Sequence, residues 1–159
     1  MDPGRVQEQA FRTVLRLLVA LGAHTMHNGG AKGWDARAAE HWWRVAGDGI
    51  VLHPVGERRR RVCIEALTKA ANAGVVLPVL EVTPANLLQR SHDMVDAADL
   101  LLACPGGPED LTTPEWATIR YAKRTGKAVV IVYPQGQLEV HGLVITKMRP
   151  PPFEWLMEE

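Results

Sequence analysis

At 159 residues and 17.5 kDa the chain is the size of one ordinary domain, able to bury a core without staples. Hydrophobic residues (47%) and charged residues (23%) stand in globular proportion, and eighteen Lys+Arg against eighteen Asp+Glu leave no net field to draw the chain onto nucleic acid. Two cysteines, Cys63 and Cys104, cannot build a disulfide framework and fit a reducing, cytoplasmic setting; with no apolar run of the ~18 residues that span a bilayer and no signal-peptide order in Met1-Asp2-Pro3-Gly4, the expectation sets aside secreted, membrane and collagen-like classes.

Residues 5–22 read as an amphipathic helix, because Phe11, Val14, Leu15, Leu18 and Leu21 recur at three- and four-residue spacing, with Gly22 as its stop. Ala23 to His27 reads as a short strand. Asn28-Gly29-Gly30 breaks it, and a second helix is expected from about Gly33 to Val45, with Ala36, Ala39, Trp42, Trp43 and Val45 on its buried side. Gly47-Asp48-Gly49 signals a turn, and Ile50 to His53 a short buried strand ended by Pro54. Residues 55–83 carry the least pattern. They hold a basic run from Arg58 to Arg61, a stretch from Cys63 to Ala73 that can form a helix, and Val75 to Val82 as a strand or an extended connection interrupted at Pro78.

From Pro84 the signal sharpens. Thr83 as N-cap and Pro84 at the first helical position predict a helix over 84–97. Asp99 to Cys104 is one acid followed by a continuous apolar run, the pattern of a strand buried on both faces. A helix from about Thr113 to Thr125 is closed by Gly126. Ala128 to Tyr133 is the clearest strand, Pro134-Gln135-Gly136 turns away, and Leu143-Val144-Ile145 is read as a final strand. Pro150-Pro151-Pro152 makes residues 148–159 a tail to a single domain over 1–147. Buried strands alternating with helices predict an α/β fold with a mostly parallel sheet.

Three segments can carry chemistry, and each falls where a strand ends, the edge at which open α/β sheets bind ligands. The first is His27 to Asp35, where Gly29, Gly30 and Gly33 let backbone N–H groups approach a phosphate and Lys32 adds charge. A tight turn with no ligand explains the same glycines. The second is Arg90 to Asp96, where Arg90 and Met94 share one helix face and the guanidinium can fork onto a phosphate or carboxylate. The competing reading pairs Arg90 with Asp93 or a nearby acid. The third is Pro105 to Trp116, where Gly106 and Gly107 follow the buried strand and Thr112 or Thr113 caps the next helix, leaving hydroxyls and N–H groups for an anion. Glu115 there is either an acid that complements the helix dipole or a catalytic carboxylate. The histidines show no H-E-x-x-H or Cys-His spacing, so no metal site and no cofactor is read. Asp35 with His27 is a candidate pair. Trp34 and Trp116 flank the glycine turns and are either core or base-stacking residues.

Together these segments resemble the SLOG superfamily, the Rossmann-like group that includes the LOG (Lonely Guy, lysine decarboxylase-like) proteins and the ligand domain of DNA-processing protein A. The resemblance runs through Arg90, Met94, Asp99 and Pro105-Gly106-Gly107 without gaps. His27 to Asp35 is similar to the His-Gly-Gly-x-x-Gly-x-Asp turn of small phage and bacterial members, with Asn28 as an extra residue. Trp116 to Ala122, followed by Gly126-Lys127-Ala128-Val129, is also similar to those members, and the likeness covers roughly residues 10–135. It implies a three-layer α/β/α fold, a homodimer or higher homo-oligomer, and a nucleotide-like ligand with phosphate at Gly106-Gly107.

In LOG enzymes the N-glycosidic bond of a cytokinin nucleoside monophosphate is hydrolysed. The resemblance would then give Arg90 and Glu115 catalytic roles and place Gly29, Gly30, Gly33, Asp35, Arg90, Met94, Gly106, Gly107, Thr112 and Thr113 around the ligand. Two departures stand out. Pro108 to Leu111 occupy the place of two residues and the third glycine of the loop is missing. Family members also open with a strand before the first helix, whereas this sequence opens almost at that helix, so the strand either lies ahead of Met1 or is dispensed with. The expectation is thus a nucleotide-binding protein that senses or sequesters a small phosphorylated ligand. The alternatives are a nucleoside 5'-monophosphate phosphoribohydrolase and a DNA-processing accessory protein, the last disfavoured by zero net charge.

Overall fold

The computed structural model describes residues 3–29, 33–46, 49–56, 58, 79–80 and 86–143. The expected elements at 63–73, the 83–84 cap, Gly30 and Lys32, residues 144–145 of the expected last strand, and the tail lie outside them. Helix α1 (Pro3–Ala20) leads to β1 (Met26–Asn28), α2 (Trp34–Val45) and β2 (Ile50–Leu52). After β3 (Val79–Leu80) come α3 (Leu87–Ala97), β4 (Leu100–Ala103), α4 (Pro114–Arg124), β5 (Ala128–Val132) and β6 (Leu138–His141).

The α1 stripe forms as its spacing predicts. Phe11, Val14 and Leu15 are buried with Gln7 one turn ahead, but Leu21 is exposed because it has left the helix. Gly22, at φ 103°, closes α1: Gly22 N–H donates to Val19 O and Ala23 N–H to Leu18 O, the paired bonds of a left-handed C-cap. Gly126 closes α4 the same way, with Lys127 N–H on Ala122 O. Helix α3 starts three residues later than the Thr83-Pro84 signal predicts, because Asn86 takes the cap and its side-chain oxygen accepts from Gln89 N–H at 2.8 Å. On α2, Ala36 is exposed, and His41 joins Trp42 as a buried residue, its Nε2 2.8 Å from Glu8 Oε1 on α1.

The strands form two three-stranded sheets, β1-β2-β3 and β4-β5-β6. The first is parallel throughout, with Met26 opposite Ile50 and Val51 opposite Val79. In the second, β4 and β5 are parallel, while β5 and β6 form an antiparallel hairpin with Val130 opposite Val140. The last described strand therefore lies at Leu138–His141, ahead of the expected Leu143-Val144-Ile145. The turn at Tyr133–Gly136, closed by Gly136 N–H on Tyr133 O, folds the chain back at once.

Helix α1 covers one face of the second sheet, where Val14 packs with Val130 and Val132. Helices α3 and α4 cover the other, where Val95, Trp116, Ile119 and Ala122 pack with Val129 and Ile131. Helix α2 joins α1 over the first sheet through Phe11, Leu15, Trp42 and Ile50. The architecture is mixed α/β, with four helices among the described residues. The side chain of Gln7, on the first turns of α1, donates to Pro105 O at 2.9 Å and Val132 O at 2.8 Å, just past β4 and at the end of β5. Thus α1 begins at the carboxyl ends of β4 and β5 and runs against them. Phe11 on α1 meets Trp34, the first residue of α2, with ring centroids 5.5 Å apart.

One strand departs from its pattern. Leu100 to Ala103 read as buried on both faces, yet all four residues are half-buried, whereas Val129 to Val132 on β5 are at most 4% exposed. Leu100, Leu101 and Leu102 line a cavity of about 440 Å³ together with Met26, His27 and Asn28 of β1.

Candidate functional site

At the carboxyl end of β1 the chain turns through Asn28 and Gly29 into the start of α2. Asn28 is buried, and its amide donates to the backbone oxygen of Asp35 at 2.7 Å, tying the end of the strand to the first turn of the helix. Gly29 is buried too, although its φ is not in the left-handed region; what requires glycine is the neighbour. A Cβ on Gly29 would lie 1.8 Å from Nη1 and 2.8 Å from Cζ of Arg90, and 2.7 Å from Oδ2 of Asp35. The guanidinium therefore lies directly on the Gly29 backbone, beside the Asp35 carboxylate. Glycine permits this approach because no side chain intervenes.

Arg90 reaches this point from the first turn of α3. Its helix neighbours are engaged elsewhere: Gln89 donates to Asp93 at 2.8 Å, and His92 stacks on Tyr121 with centroids 3.7 Å apart. Met94, one turn along from Arg90, lines the cavity with Asn28 and Asp35. Gly29, Asp35, Arg90 and Met94 thus come from three separate segments to one place. Of the alternative that pairs Arg90 with Asp93 or a nearby acid, the nearby acid is Asp35, beside which the guanidinium lies, while Asp93 accepts from Gln89.

Gly33 is the N-cap of α2 at φ 86°, a conformation that suits glycine, and is exposed. His27 Nδ1 lies 2.9 Å from Nε2 of His53, the buried residue that follows β2. One ring must donate and the other accept in that bond, so both cannot carry a second proton while it holds. Asn28 and His53 are the residues that motif reasoning passed over. The signal for Asn28 was a buried-strand position occupied by an amide immediately before the glycines.

The second glycine corner follows β4. Gly106 is exposed, Gly107 half-exposed, and neither wall of the cavity contains them. Thr113 is the N-cap of α4 but makes no side-chain cap bond. Thr112 is held instead by Asp110, whose Oδ1 accepts from Thr112 N at 2.7 Å and from Thr112 Oγ1 at 2.6 Å. These bonds hold the Asp110 carboxyl below its usual range, the Thr112 hydroxyl first, with Arg120 nearby adding to them. Arg120 also donates to Asp110 O and Leu111 O, so the end of this loop is held from α4. Glu115 is exposed in the first turn of α4 and is not part of the cavity wall. Trp116 faces inward at 4% exposure and packs near Tyr133, which gives it a core role in place of base stacking; Trp34 packs on Phe11 with Arg37 over its ring. Among the described residues no group of three His, Cys, Asp or Glu is placed to hold a metal ion, and no described helix is long and apolar enough to cross a membrane.

The carboxyl end of β1 thus brings a guanidinium and a carboxylate together on a buried glycine turn, next to a hollow lined mostly by apolar residues. A guanidinium and a carboxylate so placed are groups that can pair with each other or with an anion and hydroxyls of a ligand. Comparison with protein-family models, with curated proteins and with solved structures returned no match in any of the three.

Proposed function

We propose that the chain is a SLOG-type, Rossmann-like nucleotide-binding protein that senses or sequesters a small phosphorylated ligand. The observation that carries this reading is the seating of Arg90 on Gly29 beside Asp35 at the carboxyl end of β1. A guanidinium drawn from a distant helix onto a side-chain-free turn is positioned for a phosphate, which takes two parallel N–H bonds from it. Asp35 then accepts from ribose hydroxyls. Gly106-Gly107 and the amino end of α4, past the parallel strand β4, are the second place where N–H groups would meet an anion. One feature favours binding over hydrolysis: the glycine loop ahead of Glu115 is held by Asp110 and Arg120, and Glu115 itself is exposed in the first turn of α4.

The test is thermal unfolding of the protein with nucleoside monophosphates and diphosphates, and with the matching nucleosides. A ligand at a hundred times its Kd stabilises the native state by ~2.7 kcal/mol, which is about 5–10 °C for a chain of this length. Phosphate-bearing ligands should produce that shift, nucleosides should not, and Arg90→Ala should abolish it. No shift with any nucleotide, or the same shift in Arg90→Ala, overturns the reading. Release of free base from the monophosphates, lost in Glu115→Gln, would make the protein the phosphoribohydrolase instead.

A further inference from the structure

We propose that His27 and His53 form the proton-taking half of the anion site at the end of β1, so that a doubly charged oxyanion such as a terminal phosphate is bound together with one proton. This rests on the reading of the rim as a phosphate site and deepens it: binding tightens as pH falls. The observation that carries it is the contact of the two rings, His27 Nδ1 to His53 Nε2 at 2.9 Å, with ring centroids 5.2 Å apart. Backbone register places that contact at the site. Met26, His27 and Asn28 pair with Ile50, Val51 and Leu52, and His53 N–H donates to Asn28 O at 2.8 Å, one step further along. His53 therefore stands beside the Asn28-Gly29 turn on which the Arg90 guanidinium lies. It is 5% exposed, and His27 is half-buried, so the pair belongs to the folded interior of the rim.

Two rings in this arrangement titrate as a unit. In the neutral pair one ring donates the shared N–H and keeps a lone pair on its far nitrogen. One added proton binds at that far nitrogen, and the shared contact becomes a charge-assisted bond, which is stronger. A second added proton would put hydrogens on both facing nitrogens and break the bond. The pair thus takes a single charge without rearranging. The charged side chains shown at this turn are Asp35, from α2, which favours the added proton, and Arg90, from α3, which opposes it. Strand β3, against β2, brings Val79 and Leu80, which carry no charge. Burial of His53 also opposes the added charge.

An oxyanion on the guanidinium shifts that balance, because it sets an opposite charge beside the pair and offsets the charge of Arg90. Linkage is reciprocal: whatever the anion adds to the hold on the proton, the proton adds to the hold on the anion. Histidine suits this task because its ordinary charge change falls between about pH 5 and 8.

The experiment follows both rings in the 159-residue protein, labelled with 15N-histidine, by long-range proton–nitrogen spectra from about pH 5 to 8.5. Three solutions are compared at equal ionic strength: sodium chloride, sodium sulfate, whose two charges do not titrate in this range, and a nucleoside 5'-monophosphate. Sulfate and the nucleotide should each raise the midpoint of the pair's one-proton titration over chloride by about one pH unit, a tenfold linkage. The sulfate Kd, read from the same spectra, should rise by about tenfold across the range, and the Arg90 Nε–H should move on the same sulfate isotherm as the two rings. Arg90→Ala should remove the displacement. Equal midpoints in chloride and sulfate, two rings that titrate independently of each other, or a displacement that survives Arg90→Ala would overturn the proposal. The two readings fail separately. Sulfate acting on the pair while no nucleotide does sinks the nucleotide reading alone, and a nucleotide bound at Arg90 with the midpoint unmoved sinks this proposal alone.

Discussion

Gly29→Ala isolates the contact on which the site is built. The new methyl carbon would sit 1.8 Å from Arg90 Nη1, so one of the two must move. The backbone at residue 29 is not left-handed, so alanine fits its conformation. The obstructing atoms are the tip of a flexible side chain, and Arg90 is only half-buried, so the guanidinium swings away at modest cost. Removing a charge-assisted contact costs about 1.5–3 kcal/mol when it is fully sheltered, and less at this exposure. Against it stands about 0.4–1 kcal/mol gained by restricting the unfolded chain. The net effect on folding is about 1 kcal/mol of destabilisation or less, which is roughly 2–4 °C. The ligand loses its bidentate partner, however, and 1.5–3 kcal/mol of binding is about a ten- to hundredfold rise in Kd. Calorimetric titration with the best nucleotide, alongside thermal unfolding, measures both. A Gly29→Ala protein that keeps full affinity would refute the argument that glycine is there to seat Arg90. One that unfolds 10 °C lower would refute the claim that the contact serves binding more than folding.

Gln7→Ala deprives Pro105 O and Val132 O of a buried donor, and should cost about 2–3 kcal/mol; a loss under about 0.5 kcal/mol in chemical denaturation would mean that water replaces the amide. Burial pushes the Cys104 thiol up to about 12, so its native alkylation at pH 8, followed by peptide mass mapping, should be more than about a hundredfold slower than in denaturant, and equal rates would show the thiol open to reagent. The phenol of Tyr133 donates to Glu139, holding that carboxyl down at about 2 and the phenol up at about 12. A lowered carboxyl stabilises above its ordinary 4.5 and loses the gain as pH falls toward 2. A raised phenol stabilises below 10 and loses the gain as pH rises toward 12. Stability should therefore be flat between and fall on both sides, by less than about 1 kcal/mol because Glu139 is 39% exposed. Tyr133→Phe should flatten both limbs in pH-dependent denaturation, and an unchanged profile would remove the bond from the account.

Elements fixed by local chemistry were legible. The α1 and α4 helices carry both an apolar stripe and a glycine whose positive φ the chain itself requires, at Gly22 and Gly126. Strand β5 is apolar in every residue and nothing else competes for it. Helix α3 was read three residues too long because a Thr-Pro pair outranks Asn on sequence grounds, while in space Asn86 is the residue whose oxygen meets a free N–H. Strand β6 was missed because Leu138-Glu139-Val140-His141 is an edge strand with half its side chains in water, and a more apolar run follows it. The site divides in the same way. Gly29, Asp35, Arg90 and Met94 were all singled out, but nothing local says that a helix far along the chain delivers its arginine to one glycine. The second corner was legible as a turn, yet Asp110 capturing Thr112 depends on the longer loop. The half-burial of β4 could not be foreseen, since an apolar run is silent about a cavity beside it.

The most direct measurement of the rim's role is a backbone and arginine side-chain NMR titration of the protein with a nucleoside monophosphate. Saturable shifts at Gly29, Asp35 and the Arg90 Nε–H, with smaller ones at Gly106 to Thr113, are the result expected. Shifts confined to other surfaces, or no saturable shift at Arg90, would contradict the account.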